Sequence, residues 1–273
     1  MKDFKIKTIF ITGGSSGIGL AIAKAFAQQG NNVVLFARTV AKLESAVDEI
    51  KKDVSCLSVT KSRVNYYSVD TSNFNDTKTV FEKAIAENGI PDILINCVGI
   101  AQPDYFENIT PEIFDKTIKT NLYSTWNACS VMVPFMKQKG GHIVNTSSIA
   151  GYLGVFGYTD YSMSKFGIVG FSEALRQEML RFNIRVSILC PPDTDTPGFE
   201  VENKHKPNET KAIAGNVKLM SSEMVAAATI RGIQKNEKLI IPSWDGKTTL
   251  LLKRFFPNLV DWFMKRSMLA AQK

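Results

Sequence analysis

TGGSSGIG (residues 12–19) is the most informative segment of this chain for predicting its fold. It follows the apolar run TIFIT (8–12) and leads into the helical segment GLAIAKAFAQQG (19–30). Glycines at a strand-to-helix turn let the backbone approach a pyrophosphate, whose charge then lies at the helix N-terminus. In a complete βαβ unit this loop predicts dinucleotide binding, and a tight turn without a ligand is the alternative. The loop residues that we expect at the cofactor are Gly13, Ser15, Ser16, Gly17, Ile18 and Gly19.

Strand-like and helix-like segments alternate along the rest of the chain. The strands are mostly continuous Val, Ile and Leu runs, which is typical of a parallel sheet buried on both faces. The sequence therefore predicts an α/β fold: a single doubly wound Rossmann-type domain with a mostly parallel seven-stranded sheet and helices on both faces. The predicted strands are 8–12, 32–37, 64–70, 93–96, 142–148, 184–190 and 238–242. The predicted helices are 19–30, 41–52, 76–89, 110–138, 161–182 and one that begins near 221–223.

The length and composition fit one large domain with a tail. The chain has 273 residues, of which 44% are hydrophobic and 22% charged, so a sizeable core is expected. We find no internal repeat and no linker between domains. The expected organisation is a catalytic domain over 1–245, with a substrate lid at about 192–220, followed by a basic amphipathic tail over 246–273.

Composition also argues against several classes of function. The four widely spaced cysteines, Cys56, Cys97, Cys129 and Cys190, are expected to be reduced thiols in a reducing compartment. Two histidines without suitable neighbours give no metal site. The net charge of +7 comes without a basic, aromatic stripe outside the tail, so no nucleic-acid partner is predicted. No signal peptide or membrane span is expected, which favours a cytoplasmic location, with peripheral contact to the cytoplasmic face of a membrane left open.

The end of the second predicted strand indicates which dinucleotide binds. An NAD site favours Asp or Glu there, but no acid lies between Val33 and Lys42. Arg38 and Lys42 suit a 2′-phosphate by charge and hydrogen bonding, so the sequence predicts NADPH/NADP; a solvated basic helix start is the alternative. Asp70, at the end of the third strand, is expected either to bind the adenine amino group or to cap the strand end.

YSMSK (161–165) places Tyr161 and Lys165 four residues apart, on one face of a predicted helix. A nearby ammonium and the positive nicotinamide ring favour the phenolate, so we expect the pKa of Tyr161 to be lowered. Ser148, at the end of a strand, is expected to hold the substrate carbonyl. Tyrosine and lysine also occur at this spacing on helices without a catalytic role. The pair indicates a catalytic site only in combination with the glycine loop and TSS (146–148).

Five motifs together resemble the short-chain dehydrogenase/reductase family: TGGSSGIG, NCVG (96–99), TN (120–121), TSS and YSMSK. The likeness covers about residues 5–242. It implies that Tyr161 passes the proton, Ser148 orients the carbonyl, Lys165 holds the nicotinamide ribose and Asn121 anchors a water. It also implies a homo-dimer or homo-tetramer, built on the long helices, and cofactor contacts from Asn96 and Gly99.

A narrower resemblance lies in PPDTDTPGFEVENK (191–204). This segment, with the glycine loop, Arg38 and Lys42, is similar to the branch of the family that reduces a long-chain keto-amine lipid in sphingolipid biosynthesis. Pro191 is expected to stiffen the chain beside the nicotinamide, and Thr194 to donate its hydroxyl to the cofactor. The acids of the segment are expected to attract the substrate amine; they are Asp193, Asp195, Glu200 and Glu202.

The tail (246–273) carries six Lys or Arg residues against one acid, Asp261. Apolar residues cover most of the predicted helix after Pro257, including Trp262 and Phe263. Such a helix can lie in a membrane interface, or it can pack on the core or on a sister subunit.

Three functions follow from these observations. The first is an NADPH-dependent reductase of a long-chain keto-amine lipid. The second is the same reductase with another apolar carbonyl substrate, such as a steroid or a 3-oxoacyl thioester. The third, of a different class, is a nucleotide-sensing or membrane-docking protein without turnover, against which the complete set of catalytic candidates argues.

Overall fold

The computed structural model describes residues 6–55, 62–215 and 219–271. Seven strands form one sheet, and two further short strands form a separate pair. The strands are β1 (Thr8–Thr12), β2 (Asn32–Ala37), β3 (Val64–Ser68), β4 (Ile93–Asn96), β5 (Gly141–Thr146), β6 (Ile184–Leu189), β7 (Thr194–Asp195), β8 (Met220–Ser221) and β9 (Leu239–Ile240). The large sheet has the order β3-β2-β1-β4-β5-β6-β9, and each neighbouring pair is parallel. The predicted fold class is confirmed.

Helices cover both faces of this sheet. They are α1 (Gly17–Gln28), α2 (Val40–Ser55), α3 (Phe74–Asn88), α4 (Pro111–Ile118), α5 (Ser124–Met136), α6 (Thr159–Met179), α7 (Pro197–His205), α8 (Asn208–Ala214), α9 (Ser222–Lys235), α10 (Trp244–Phe255) and α11 (Pro257–Ala271). Successive side chains of a strand point to opposite faces. Ile9 and Ile11 of β1 therefore pack with α1, α2 and α9, whereas Phe10 packs with α3 and α5.

The long helix predicted from Thr110 is not continuous. It begins as predicted, because Thr110 accepts a hydrogen bond from the Ile113 amide at 3.4 Å and Pro111 occupies the first turn. Between α4 and α5, however, Lys119–Tyr123 forms one π-helical turn. Such turns occur frequently at functional sites, and this one contains Asn121.

Several predicted boundaries are also wrong. The third strand ends at Ser68, because Asp70 turns the chain by accepting hydrogen bonds from Ser72. The last strand shrinks from 238–242 to Leu239–Ile240, since it pairs with β6 alone at the edge of the sheet. The helix predicted over 161–182 starts earlier, at Thr159, and its last three residues form a 3₁₀ turn.

The described part of the predicted lid, at about 192–220, contains two helices. Helices α7 and α8 lie between β7 and β8, which pair in parallel and so close the base of the lid. The hydroxyl of Thr196 caps α7 by accepting from the Phe199 amide at 3.0 Å. The hydroxyl of Ser222 donates to the carbonyl of Asp195 at 2.9 Å, which fixes the lid to the start of α9.

The C-terminal tail folds as α10 and α11. Near the start of α10, the carbonyl of Gly246 accepts a hydrogen bond from the Tyr152 hydroxyl at 2.9 Å, and Leu250 packs on the core. Helix α11 packs against α8 of the lid. In the three described ranges, no helix has both the length and the apolarity that crossing a bilayer requires.

Three of the four cysteines lie in the described part of the chain. Cys97, Cys129 and Cys190 are free thiols, as expected. Cys56 lies outside the described residues.

Candidate active site

The predicted site residues meet at the carboxyl edge of the sheet. Strands β1 and β4 are neighbours there although β2 and β3 lie between them in the chain, so the connections leave in opposite directions. This switch point is where open α/β sheets bind ligands. The glycine loop follows β1, TSS ends β5 and begins the next turn, and the proline segment follows β6.

The glycine loop packs so tightly against its neighbours that residues larger than glycine do not fit. Gly13 and Gly17 have φ angles of +68° and +52°, which favour glycine. A Cβ atom on Gly19 would lie 2.3 Å from the carbonyl oxygen of Gly13. One on Gly17 would lie 3.0 Å from Cγ2 of Thr196, so the start of α7 packs against this loop. Backbone conformation and packing therefore require glycine at these positions of the loop, which we call the cradle.

The serines of this loop are not used to cap α1. Ser16 occupies the N-cap position, yet its side chain makes no capping hydrogen bond. Ser16 is exposed, and Ser15 and Ile18 are half-buried. The first amides of the helix and the Ser16 hydroxyl are therefore donors that an anion at the cradle would meet.

Arg38 and Lys42 lie exposed just beyond the end of β2. Neither side chain has a hydrogen bond or ion pair with any residue that the structure describes, so both cations remain available to a ligand. Asp70 is exposed beyond β3, and its Oδ1 accepts from the amide and hydroxyl of Ser72 at 3.0 and 2.7 Å. One carboxylate oxygen therefore caps the strand end, which is one of the two roles expected for Asp70.

Lys165 is buried at the centre of the site. Its side chain reaches the end of β5, where Nζ donates to the Thr146 carbonyl at 3.0 Å, and the residue is 3% exposed. Burial lowers the pKa of its ammonium to about 8. A Cβ on Gly99 would lie 3.2 Å from this nitrogen, so glycine there leaves the ammonium accessible from the NCVG loop.

Tyr161 differs from the prediction in its electrostatics. Burial raises the pKa of its hydroxyl, and the charge of Glu202 raises it further. A hydrogen bond from Ser148 lowers the pKa, but not enough to offset these effects, and Lys165 is not among the main causes. The expected lowering of this pKa is therefore wrong for the protein without bound cofactor. The phenol stays protonated and can act as an acid.

The side chain of Asn121 supports the site from the π-helical turn. It is fully buried, with Oδ1 accepting from the Ile100 amide at 2.8 Å and Nδ2 donating to the Ile100 carbonyl at 2.9 Å. Nδ2 also donates to the Ser164 hydroxyl at 3.0 Å. Asn121 thereby ties the NCVG loop to α6, between Tyr161 and Lys165.

Asn96 lies behind the site, in the core. Its amide nitrogen donates to Oδ1 of Asn145 at 2.9 Å, and its own oxygen accepts from the Thr12 hydroxyl at 3.3 Å. The side chain is therefore committed to a polar network that joins β1, β4 and β5.

The proline segment is held beside Ser148. Pro191 is buried, and its carbonyl accepts from the Ile149 amide, in the turn that Ser148 caps, at 3.4 Å. The Thr194 hydroxyl donates to the Pro192 carbonyl at 2.8 Å. Its oxygen lone pairs, rather than its proton, remain for a ligand.

Two residues that the sequence analysis missed complete the site. The Tyr158 hydroxyl donates to Oε1 of Glu202 at 2.5 Å, and the Tyr158 ring lies 5.6 Å from that of Tyr161. The ammonium of Lys206, whose side chain is 4% exposed, lies 3.0 Å from Oδ2 of Asp193 and 3.4 Å from Glu202. Tyr158 lies one helical turn before Tyr161, a signal that could have been used, whereas nothing in the sequence marks Lys206.

The structure divides the acids of the proline segment into two groups. Asp193 and Glu202 converge on Lys206 beside Tyr161. Asp195 and Glu200 are exposed, and their carboxylates form no ion pair with a described residue. The two carboxylates with one ammonium give this network a net negative charge when both acids are ionised.

The arrangement defines the class of protein. A glycine cradle lies at the switch point, with the buried Lys165 and the half-buried Tyr161 and Ser148 beside it. These features define a nicotinamide-dependent oxidoreductase that acts on a carbonyl and hydroxyl pair. The chain belongs to the short-chain dehydrogenase family, because the model of that family, described as short chain dehydrogenase, matches residues 7–207.

Individual relatives within this family are similar over most of the chain. The chain is 38% identical over 245 residues to a 3-ketodihydrosphingosine reductase of Dictyostelium discoideum, covering 85% of this chain and 73% of the relative. It is 40% identical over 232 residues to the enzyme of the same name from Mus musculus, covering 84% and 69%. A solved short chain dehydrogenase/reductase from Burkholderia phymatum, in complex with NAD, matches with a TM-score of 0.80 at 23% identity, covering 95% and 96% of the two chains. This structure supports the fold alone.

Proposed function

We propose that this protein reduces 3-ketodihydrosphingosine to dihydrosphingosine, with NADPH as the hydride donor. The observation that carries the proposal is the similarity to two reductases of that name, from an amoeba and a mammal, over more than four-fifths of this chain. The resemblance carried by the segment 191–204 indicates the same substrate class. The geometry around Tyr161 also supports it.

The residues of the cradle fit the proposed cofactor. The amides at the start of α1 would bind the pyrophosphate, with Ser15 and Ser16 beside them, and the buried ammonium of Lys165 would hold the nicotinamide ribose. Gly99 leaves that ammonium accessible. Asp70 retains one carboxylate oxygen for the adenine amino group. Asn96, whose side chain is committed within the core, would support the loop rather than contact the cofactor through that side chain.

The preference for NADPH over NADH rests on Arg38 and Lys42. Both are exposed beyond β2, without a described partner, where the 2′-phosphate of an adenosine ribose would lie. Two unpaired cations and no carboxylate on this strand end favour a phosphate over a bare hydroxyl.

The proton is delivered by Tyr161. When bound, the reduced nicotinamide supplies a hydride to the C3 carbonyl carbon. Tyr161 donates its hydroxyl proton to the carbonyl oxygen, which the Ser148 hydroxyl orients by a hydrogen bond. The raised pKa of Tyr161 keeps that proton in place until charge develops on the oxygen. The phenolate that remains is stabilised by the Lys165 ammonium and regains a proton from solvent, through a relay in which Asn121 anchors a water.

The substrate amine is matched by the network beside Tyr161. The amine of a 2-amino-3-ketone is adjacent to the reacting carbonyl, so it must lie near the Tyr161 hydroxyl. Asp193 and Glu202 lie close enough to that hydroxyl for their charges to affect it. We propose that they attract the substrate ammonium, with Lys206 holding the two carboxylates together.

We also propose that the protein forms a homo-dimer or homo-tetramer. Large apolar side chains are exposed along α4, the π-helical turn, α5 and α6: Phe114, Tyr123, Trp126, Met163 and Phe166. An interface between copies would cover them. A cytoplasmic location, with the tail against a membrane, remains part of the proposal, and free thiols at Cys97, Cys129 and Cys190 are consistent with it.

The proposal is tested by a substrate panel. Purified protein and NADPH are offered 3-ketodihydrosphingosine, a 3-oxoacyl thioester and a steroid ketone in parallel, with the rate of NADPH oxidation as readout. We expect the long-chain keto amine to be reduced with the highest kcat/KM. A preference for the thioester or the steroid would favour the alternative reductase, and binding of NADPH without turnover of any ketone would favour a nucleotide sensor.

A further inference from the structure

Helices α10 and α11 expose a dense set of large apolar side chains, here called the tail face. Trp262 and Phe263 are 54% and 59% exposed, and the others are comparable. In water such a set is costly unless something covers it. The tail face consists of Trp244, Leu251, Leu252, Phe255, Phe256, Leu259, Trp262, Phe263 and Leu269.

Basic side chains border the aromatic rings of the tail face. The guanidinium of Arg254 lies 5.8 Å from the centre of the Phe255 ring, and that of Arg266 lies 5.5 Å from the Trp262 ring. Neither arginine forms an ion pair with a described residue, whereas Lys253 is paired with Asp261 at 2.8 Å. Exposed aromatic rings beside unpaired cations suit the interface of an anionic bilayer, where rings enter the headgroup region and cations meet phosphates.

The other side of α11 joins the tail to the lid. Val260, Met264 and Met268 recur at four-residue intervals and are half-buried, as α11 packs against α8. Helix α8 is in turn hydrogen-bonded to loops outside the lid. The Tyr105 hydroxyl donates to Glu209 at 3.0 Å, and the Thr210 hydroxyl donates to the Phe156 carbonyl at 2.8 Å.

We infer that the tail face binds the surface of an anionic lipid bilayer and that α11, through α8, holds the substrate lid at that surface. A long-chain substrate would then pass from the bilayer under the lid without crossing water. The inference rests on the proposed function for the identity of this substrate, but the docking surface itself does not depend on it. The charge beside the rings favours a bilayer over a second copy of this basic chain, whose like charges would repel.

Vesicle co-sedimentation tests the docking. The full chain is mixed with phosphatidylcholine vesicles, with and without 30% phosphatidylserine. We expect binding to the anionic vesicles, at least tenfold stronger than to the neutral ones. Trp262→Ala with Phe263→Ala should weaken it by about tenfold or more, and Arg254→Gln with Arg266→Gln should remove most of the preference for anionic lipid.

Matched controls separate the tail face from exposed residues elsewhere. Leu180 and Met224 are 67% and 58% exposed outside the tail, so Leu180→Ala with Met224→Ala removes similar exposure. Lys51→Gln with Lys78→Gln removes the same charge as the arginine pair. Both controls should bind vesicles as the unsubstituted chain does. Equal loss in the controls, or no binding of the unsubstituted chain to anionic vesicles, would overturn the inference.

Hydrogen exchange tests the link to the lid. Anionic vesicles should slow amide exchange over 208–214 in the unsubstituted chain but not in the Trp262→Ala, Phe263→Ala variant. The same variant should reduce a water-soluble, short-chain 2-amino-3-ketone normally and a vesicle-embedded long-chain one more slowly. If the aromatic substitutions changed the sedimentation-velocity mass and left vesicle binding intact, the tail face would be an interface between copies and the inference would fail. If vesicles bound and protected 208–214 while no keto amine was reduced, the docking would stand and the proposed function would fall.

Discussion

The ammonium nitrogen of Lys165 lies 5.5 Å from the centre of the Tyr161 ring, one helical turn away on α6. The two groups respond to burial in opposite directions. The pKa of Lys165 falls to about 8, and that of Tyr161 rises, because each charged form is disfavoured away from water. At neutral pH the site therefore holds a protonated phenol beside an ammonium that is still mostly charged, which suits reduction of a ketone.

Removing the phenolic hydroxyl tests the proposed acid. Tyr161→Phe should lower kcat by about 10²- to 10⁴-fold, because proton donation to the carbonyl oxygen is lost. NADPH binding, followed by its fluorescence, should change little, since the cradle and Lys165 are retained. Tyr123→Phe, at an exposed position in the π-helical turn, is the matched control and should keep full activity. Comparable kcat values for the two variants would contradict the assignment.

The pKa of Lys165 predicts an alkaline limit to cofactor binding. Because this pKa is lowered to about 8, the ammonium is present below that pH and is lost as the pH rises through it. The kcat/KM for NADPH should therefore fall above about pH 8. Lys165→Arg keeps its charge across this range, so its residual activity should lack the decline. A decline at the same pH in the arginine variant would assign it to another group.

Arg38 and Lys42 predict a measurable cofactor preference. Arg38→Ala should weaken NADPH binding by about 10- to 100-fold, as expected for losing a charge-assisted hydrogen bond to phosphate. NADH binding should be almost unchanged, so the ratio of the two dissociation constants reports the contact. Arg231→Ala removes an exposed arginine on α9 and serves as the control. Equal weakening of both cofactors by Arg38→Ala would show that the arginine does not read the 2′-phosphate.

Glu202 predicts recognition of the substrate amine. Glu202→Gln leaves the Asp193–Lys206 pair in place but removes one negative charge near Tyr161. We expect kcat/KM for the keto amine to fall by roughly tenfold, a loss of about 1.4 kcal/mol, with a much smaller change for its uncharged N-acetyl analogue.

The control for Glu202 is Glu200→Gln, which removes the same charge from an exposed position outside the network. The thermal midpoint of each variant is measured alongside, because Lys206 is buried. A loss that is equal for the amine and its N-acetyl analogue would mean that Glu202 supports the lid and not the ammonium.

The sheet could be predicted largely from the sequence because buried parallel strands are continuous apolar runs. Strands β1, β2 and β4 have the predicted bounds. Strand β9 was overestimated because an edge strand extends only as far as its single neighbour allows. Helix α7 was not predicted, although Thr196-Pro197 gives the same start signal as Thr110-Pro111.

The parts of the site that depend on distant contacts could not be predicted. The π-helical turn at KTNLY (119–123) is associated with Asn121, which binds Ile100, and nothing local marks it. From the sequence, Lys206 cannot be distinguished from the many surface lysines. Only the folded lid brings it into contact with Asp193 and Glu202. For the protein without bound cofactor, the predicted sign of the pKa shift of Tyr161 is wrong, because the sequence cannot show how strongly burial disfavours the phenolate.

The decisive experiment on the proposed function is the reduction of 3-ketodihydrosphingosine itself. Purified protein is incubated with NADPH and the keto amine in mixed micelles, and dihydrosphingosine is identified by mass spectrometry against NADPH consumed. We predict one molecule of product for each NADPH oxidised, and no product with Tyr161→Phe on the same timescale. NADPH oxidation without dihydrosphingosine, or equal product from the Tyr161→Phe variant, would contradict the proposed function.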